Sequence, residues 1–378
     1  MRLISFSYHN KTKNWGFDAL DFHKLTLLVG ASGVGKTKIL EAIEQLTNIA
    51  EGVSFNGIVW NVKFETLEKK IYIWKGEFEQ KAKYPHRLLD NKYNEESHII
   101  SEQLIEKDIK IINRDADRLI FNGTETVKLS PQQSAVSLLK EEELISPVYK
   151  SLTKIQLINY TDALLESMIV VSDITKAELL VKQYDTIEKI KESNLEILIK
   201  IFLASSVADN RLFESIKRRY INIFPQVEDI KFVLSDLTDF SSLVNYLLVQ
   251  FKEKGVDEWI IDGISSGMHR SFMQIGELYL CPEGSILLID EFENSLGVNC
   301  IGELTNDILN SERDIQFILT SHHPYIINNI PYRNWKIVTR KGGNVFIKDA
   351  ADYKIGVSSK HDAFMQLLQL DEFANGIN

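Results

Sequence analysis

The sequence predicts an α/β fold with a mainly parallel central sheet, and three observations predict it. A glycine loop, Gly30-Ala-Ser-Gly-Val-Gly35-Lys36-Thr37, follows the buried apolar run KLTLLVG and precedes TKILEAIEQLTNIA, whose apolar residues fall at helical spacing. The last third of the chain alternates strand-like and helix-like runs: SILLIDEF, ELTNDIL, IQFILTS, IINNI, then WKIVTRK and NVFIKDA. Such alternation builds parallel strands joined by helical crossovers. The start of the chain is instead rich in hairpin patterns, which adds an antiparallel β subdomain.

In order, MRLISFSY and GFDALDF read as two strands and KLTLLVG as a third that runs into the glycine loop. The helix after it puts Ile39, Leu40, Ile43 and Leu46 on one face. GIVWNVKFET and KKIYIWKGEFE form a hairpin pattern; IKIINRDADRLIFNG and TETVKL repeat it, with Asn122-Gly123 at a turn. From 131 to 218 the spacing turns helical, through SAVSLLKEEEL, TDALLESMIVV, TKAELLVKQYDTIEKIKES and NLEILIKIFLASSV, and reads as an inserted helical subdomain. It carries no heptad run long enough for a coiled-coil arm. VEDIKFVLSD and YLLVQFKEK return to strand. The expected organisation is a lobe over 1–130 with the glycine loop and the β subdomain, the helical insert over 131–218, a second lobe over 219–350 and a helical tail over 351–378. In that tail Phe364, Leu367, Leu368 and Leu370 form an apolar stripe that either caps the core or docks a partner.

The 378 residues, 44% of them hydrophobic, allow a large core and argue against disorder. No stretch approaches the roughly 18 apolar residues of a membrane span, and the start lacks a signal-peptide pattern. With two cysteines, Cys281 and Cys300, a reducing, cytoplasmic setting without membrane association is expected. A net charge of −10 argues against a surface coated for nucleic acid. Lys217-Arg218-Arg219 is the best basic candidate, and its simpler reading is a solvated helix face.

Four motifs carry chemistry. In the glycine loop, backbone N–H groups from Gly30, Ala31, Ser32, Gly33, Val34 and Gly35 converge with the helix N-terminus on phosphates. Lys36 adds a point charge, Thr37 a hydroxyl for Mg²⁺, and Lys38 continues the segment. The run Ser285-Ile-Leu-Leu-Ile289-Asp290-Glu291 reads as a buried strand opening into a ligand crevice: Asp290 suits a Mg²⁺ shell and Glu291 can polarise water. Asp262-Gly263-Ile264-Ser265-Ser266-Gly267-Met268-His269-Arg270 opens a helix with hydroxyl and N–H donors, a second anion site. Thr320-Ser321-His322-His323-Pro324 follows an apolar strand and places a histidine within reach of a γ-phosphate.

Taken in order, these motifs resemble the ATP-binding-cassette superfamily in its soluble branch, and more closely the OLD-type ATPases and their SMC-like relatives. That branch carries a signature of the form L-S-D-G-T-x-R, an acidic strand ending D-E-x-E-N-G-L-H and a switch T-H-S-P. The corresponding residues are Ile264 to Arg270, Asp290-Glu291-Phe292-Glu293-Asn294-Ser295-Leu296, and Ser321-His322-His323-Pro324. The resemblance spans residues 1 to about 345 and implies an ABC-type P-loop ATPase head with ATP and Mg²⁺ as cofactors. It implies that Lys36 and Thr37 hold phosphate and metal, Asp290 completes the metal shell, and Glu291 is the general base. Ser265, Ser266 and Gly267 would meet ATP held by a second subunit, Asn294, Ser295 and Leu296 take the D-loop place, and His322 the switch. Two adjacent histidines leave that register open by one, with His323 as the fallback. The Q-loop glutamine falls on Gln132, Gln133 or Gln156. Met268 and Ser295 with Gly297 depart from the family pattern, which puts the rate of hydrolysis in question. OLD nucleases carry a Toprim domain after the ATPase; the stretch after Pro324 is short and shows no acidic cluster, so no Toprim nuclease is expected here.

The resemblance implies a homodimer, or a higher homo-oligomer, that sandwiches ATP and acts as a switch or sensor for a separate effector, a nuclease or toxin, of the kind found in bacterial anti-phage systems. A DNA-repair or chromosome-type ATPase that clamps nucleic acid directly is the alternative, disfavoured by the acidic balance and the missing arm. A transporter subunit is disfavoured by the acidic-strand and Ser-His-His-Pro patterns.

Overall fold

The computed structural model describes residues 1–81, 97–158, 168–171, 174–236, 245–260, 264–294, 296–355, 360–370, 373 and 376. The chain divides into two compact units. The first comprises Met1–Ile158, Glu283–Phe292 and Ser311–Asn378; the second comprises Asn159–Pro282 and Glu293–Asn310.

The first unit begins with β1 (Arg2–Asn10), β2 (Trp15–Asp21) and β3 (Leu25–Val29), followed by α1 (Lys36–Ala50). Then come β4 (Ile58–Glu65), β5 (Ile71–Phe78), β6 (Ile99–Glu106), β7 (Ile109–Asp115), β8 (Leu119–Phe121) and β9 (Thr124–Glu125). α2 (Ala135–Leu138), α3 (Ser146–Leu152) and β10 (Ile155–Ile158) complete its N-terminal part. The second unit holds β11 (Met168–Val171), α4 (Ile174–Gln183), α5 (Ile187–Glu192), α6 (Ile197–Ser206), α7 (Arg211–Ile223), β12 (Val227–Asp236), β13 (Asn245–Glu253), β14 (Trp259–Ile260) and α8 (Ser266–Leu280). The chain returns to the first unit for β15 (Ile286–Ile289), and α9 (Val298–Leu309) belongs to the second. β16 (Gln316–Thr320), α10 (Pro324–Asn329), β17 (Trp335–Lys341), β18 (Asn344–Asp349) and α11 (Lys360–Gln369) end the first unit.

One 14-stranded sheet runs through the first unit in the order β10-β15-β16-β3-β17-β18-β2-β1-β4-β5-β6-β7-β8-β9. From β10 to β17 every neighbouring pair is parallel, and from β2 through β1 to β9 every pair is antiparallel. This is the expected α/β fold with its antiparallel subdomain, drawn out of one continuous sheet. β3, β15 and β16 are buried along their whole length, as strands covered on both faces must be. β4 instead alternates buried and exposed residues, the mark of a sheet with one wet face. α1 buries Ile39, Leu40, Ile43, Leu46 and Ile49, the stripe its spacing predicts with one more turn. Each such side chain contributes about 1.5–3 kcal/mol when taken out of water.

In the second unit β12, β13 and β11 pair antiparallel, with β14 added to β13. Tyr220, Phe224, Phe251 and Phe272 pack in tilted and edge-to-face pairs between α7, β13 and α8, with ring centroids 4.8 to 5.6 Å apart. The helical expectation for TDALLESMIVV is corrected: Met168–Val171 is strand β11, paired with β13. Its isoleucine and valines are stiff at χ1 and suit a pleated surface better than a helix. Among the described residues no helix is long and apolar enough to cross a membrane.

Candidate functional site

β3 ends at Val29, and the chain turns through the glycine loop into α1. Gly33 has a φ of +82°, a conformation most side chains avoid, and faces open space. Gly35 caps α1 with no side-chain hydrogen bond to the first turn. The N–H groups there therefore keep their capacity for an anion, reinforced by the helix dipole. Lys36 is buried, and its Nζ donates to the Gly30 carbonyl at 2.8 Å and the Ala31 carbonyl at 2.9 Å. Ser32, Gly33, Thr37 and Lys38 are exposed at the mouth, while Val34 packs inward. The Lys38 ammonium lies 5.9 Å over the Trp15 ring.

The opposite wall comes from β15 and β16. These strands run parallel to β3, so all three carboxyl ends open at the same edge of the sheet. Asp290 is gripped from both sides: the Thr37 hydroxyl donates to its Oδ2 at 2.8 Å, and the Thr320 hydroxyl donates to its Oδ1 at 2.6 Å. Thr320 Oγ1 accepts from the Glu291 amide at 2.7 Å, and the Thr320 carbonyl accepts from the Phe292 amide at 3.1 Å. Those two bonds hold Glu291 in a left-handed turn, with φ +44°, that exposes its carboxylate. A non-glycine residue pays about 1–3 kcal/mol for such backbone, and it persists only where neighbours enforce it.

Past β16, Ser321 is buried and its hydroxyl accepts from the His323 amide at 3.0 Å. His323 Nδ1 accepts from the Tyr325 amide at 3.2 Å and so caps α10. His322 is exposed at the same edge of the sheet. Of the two, His323 is the one whose ring caps α10.

Ser265, Ser266 and Gly267 belong to the second unit. Ser265 caps α8, accepting from the Met268 amide at 3.2 Å, and Ser266 is exposed in the first turn. Met268 points into the fold, where its sulfur accepts from Gln226 Nε2 at 3.9 Å. Its departure from the signature pattern thus serves packing. Asn294 is exposed, and the Leu296 amide donates to the Glu293 carbonyl at 3.0 Å. Asp262, Gly263 and Ser295 lie outside the described residues. Of the three glutamines, Gln133 lies beside Gly52, past the far end of α1 from the glycine loop. Gln156 sits on β10, the end strand of the sheet, opposite Leu287, and its buried Oε1 has no hydrogen-bond partner among the described residues.

Thr320 is the functional residue that the motifs alone do not single out. The available signal was a hydroxyl ending an apolar strand, which in a parallel sheet sits level with the acidic residues of the next strand. Conversely, two residues of the basic run at 217–219 are tied up internally. Lys217 pairs with Glu214 and Asp229 at 3.0 and 3.1 Å, and Arg219 with Glu303 and Asp307 at 2.9 and 2.8 Å.

Residues 175–328, less than half of the chain, match the family described as "AAA domain, putative AbiEii toxin, Type IV TA system". That stretch includes the α8 serines, Asp290, Glu291 and His322. No curated protein matches the chain. Among solved structures it is similar to an SMC head bound to the C-winged helix domain of ScpA, with 16% identity, 92% of this chain and 98% of the other covered, and a TM-score of 0.42. It is also similar to the SMC head domain from Thermotoga maritima, with 13% identity, 92% and 99% covered, and a TM-score of 0.44. A third is the Pyrococcus furiosus Smc head with an extended coiled coil bound to the C-terminal domain of ScpA, with 14% identity, 93% and 98% covered, and a TM-score of 0.39.

Proposed function

We propose that the chain binds Mg-ATP on its glycine loop and hydrolyses it, and that the bound nucleotide closes a dimer that switches a separate effector. One observation carries the proposal: the Thr37 hydroxyl meets the Asp290 carboxylate where the glycine loop opens, and Glu291 follows directly in an exposed left-handed turn. A hydroxyl and a carboxylate oxygen 2.8 Å apart fit the shell of one Mg²⁺ ion, a hard cation that takes oxygen ligands and keeps several waters. Among the described residues no three His, Cys, Asp or Glu side chains gather as a metal site, so such an ion would draw the rest of its shell from nucleotide and water. When bound, it would supply positive charge against the phosphates, with Thr37 and Asp290 as the residues that would hold it.

In this reading Lys36 exchanges its contacts with the Gly30 and Ala31 carbonyls for β- and γ-phosphate oxygens. Glu291 takes the proton of the attacking water, and Lys36 with His322 stabilises the charge that develops on the phosphoryl group. Ser265, Ser266 and Gly267, at the N-terminus of α8, would meet the nucleotide of a second copy. The description of the matched family names a putative AbiEii toxin of a type IV toxin–antitoxin system, which supports a toxin–antitoxin setting for the switch. Direct DNA clamping is less well supported, because Lys217 and Arg219 are spent on internal ion pairs.

Calorimetric titration with Mg-ATP, paired with phosphate release, tests the reading. Lys36→Ala is expected to weaken binding by about 100-fold, whereas Glu291→Gln keeps affinity within about threefold and loses roughly 99% of hydrolysis. A wild-type chain that ignores Mg-ATP, or a Glu291→Gln chain that hydrolyses it at the wild-type rate, overturns the proposal. Co-expression with the product of the neighbouring gene, its activity compared between wild type and Glu291→Gln, tests the effector.

A further inference from the structure

β17 runs beside β3 only as far as the pair Ile337–Val29, because the chain then leaves β3 for the glycine loop. Beyond that point one edge of β17 has lost its strand neighbour. The structure fills this place from the C-terminal segment: the Arg340 amide donates to the Gly376 carbonyl at 2.9 Å. Gly376 is buried, and its contacts are with the glycine loop itself. A Cβ on Gly376 would stand 2.5 Å from Val34 Cγ1 and 3.1 Å from Ala31 Cβ, and its φ is +65°. Only glycine fits there, both for space and for backbone conformation. The Arg340 guanidinium donates in turn to the Gly33 carbonyl at 3.4 Å, so one residue holds the segment with its backbone and the loop with its side chain.

α11, earlier in the same C-terminal stretch, lies near the histidine pair. α11 packs against α10, the helix that His323 caps directly after His322. Ala363 and Leu367 of α11 are buried, while Met365 and Leu368 are exposed. Among the described residues, α11 thus touches the helix after the histidine pair, and Gly376 touches Val34 and Ala31 of the glycine loop.

We propose that the notch between β17 and the glycine loop is a docking site for the chain's own C-terminal segment, with Gly376 as the seated residue, and that seating braces the loop for nucleotide. A braced loop binds more tightly because less of it must be ordered on binding. By linkage, nucleotide then strengthens the seating by the same factor. The nucleotide half rests on the ATP reading above; the seating does not.

The test compares the full-length wild type, Gly376→Val and a chain ending at Leu370. Hydrogen exchange is followed in the peptide covering residues 28–40 without nucleotide, and the affinity of each chain for a fluorescent Mg-ATP analogue is measured. Both variants are expected to exchange faster in the loop and to bind the analogue about fivefold more weakly or worse. Equal exchange in all three chains overturns the docking site. Faster exchange with unchanged affinity overturns the brace. If the wild type binds no analogue while exchange differs, the ATP reading and the nucleotide half fall together and the seating stands.

Discussion

At Thr320 a single hydroxyl does two things, giving its proton to Asp290 and a lone pair to the Glu291 amide. Valine has the same shape and can do neither, whereas serine can do both. Thr320 is 1% exposed, so water cannot readily replace what valine removes. Its place in the proposed reaction is positioning: the bonds fix the carboxylate at the metal position and the turn that aims Glu291. Thr320→Val is therefore expected to lower kcat for Mg-ATP hydrolysis by about 10- to 100-fold, with ATP affinity held within about threefold. Thr320→Ser should recover most of the rate. Equal losses in the valine and serine variants, or a loss of affinity instead of turnover, would show that the hydroxyl does not position the carboxylates.

α8 carries two groups that burial shifts in opposite senses. Burial without a hydrogen-bond partner on either ring nitrogen pushes His269 down to about 4. Between about pH 6.5 and 4 the unfolded chain takes up a proton that the folded one refuses, so this group costs stability as pH falls. Glu277, on the same helix, is pushed up to about 7 by desolvation, with Lys200 offsetting part of it. There the folded chain holds the proton longer, so between about pH 4.5 and 7 acidification adds stability. The two slopes oppose each other. Glu277→Gln should unmask the histidine and lose about 2 kcal/mol between pH 7 and pH 5 in urea unfolding, while His269→Phe should become more stable over the same range. Identical pH profiles for the two variants would refute the pairing. None of this was legible in the sequence, where His269 reads as one more residue of a signature. Patterns that repeat along the chain were legible: the α1 stripe, the apolar runs of β3, β15 and β16, and the loop between strand and helix. What depends on a distant partner was not. Glu102 is fully buried in β6, where it accepts from Trp74 Nε1, the Ser134 hydroxyl and the Ala135 amide. Only the folded sheet brings those three donors together. Met168–Val171 was misread as helix for the same reason, since its pairing partner β13 lies far along the chain.

Across the whole molecule, the glycine loop lies in one compact unit and the Ser265–Gly267 motif in the other. The proposed sandwich makes each active site from the loop of one copy and the motif of its mate, the self-complementary arrangement of a two-fold dimer. That geometry can be tested by mixing two inactive chains. Lys36→Ala spoils the loop and leaves the motif intact. Ser266→Asp spoils the motif: its carboxylate would face the phosphates of the second copy, yet an acidic residue in the first turn of α8 suits the helix dipole and should not unfold the chain. In a dimer of one chain of each kind, one site has lost both halves and the other has both intact. Equal mixing makes about half of the dimers mixed, so phosphate release should return to about a quarter of the wild-type rate although each variant alone is nearly silent. Recovery should also need time for subunits to exchange. A mixture no more active than its two components would mean that each site is completed within a single chain, and the nucleotide could not then act by joining two of them.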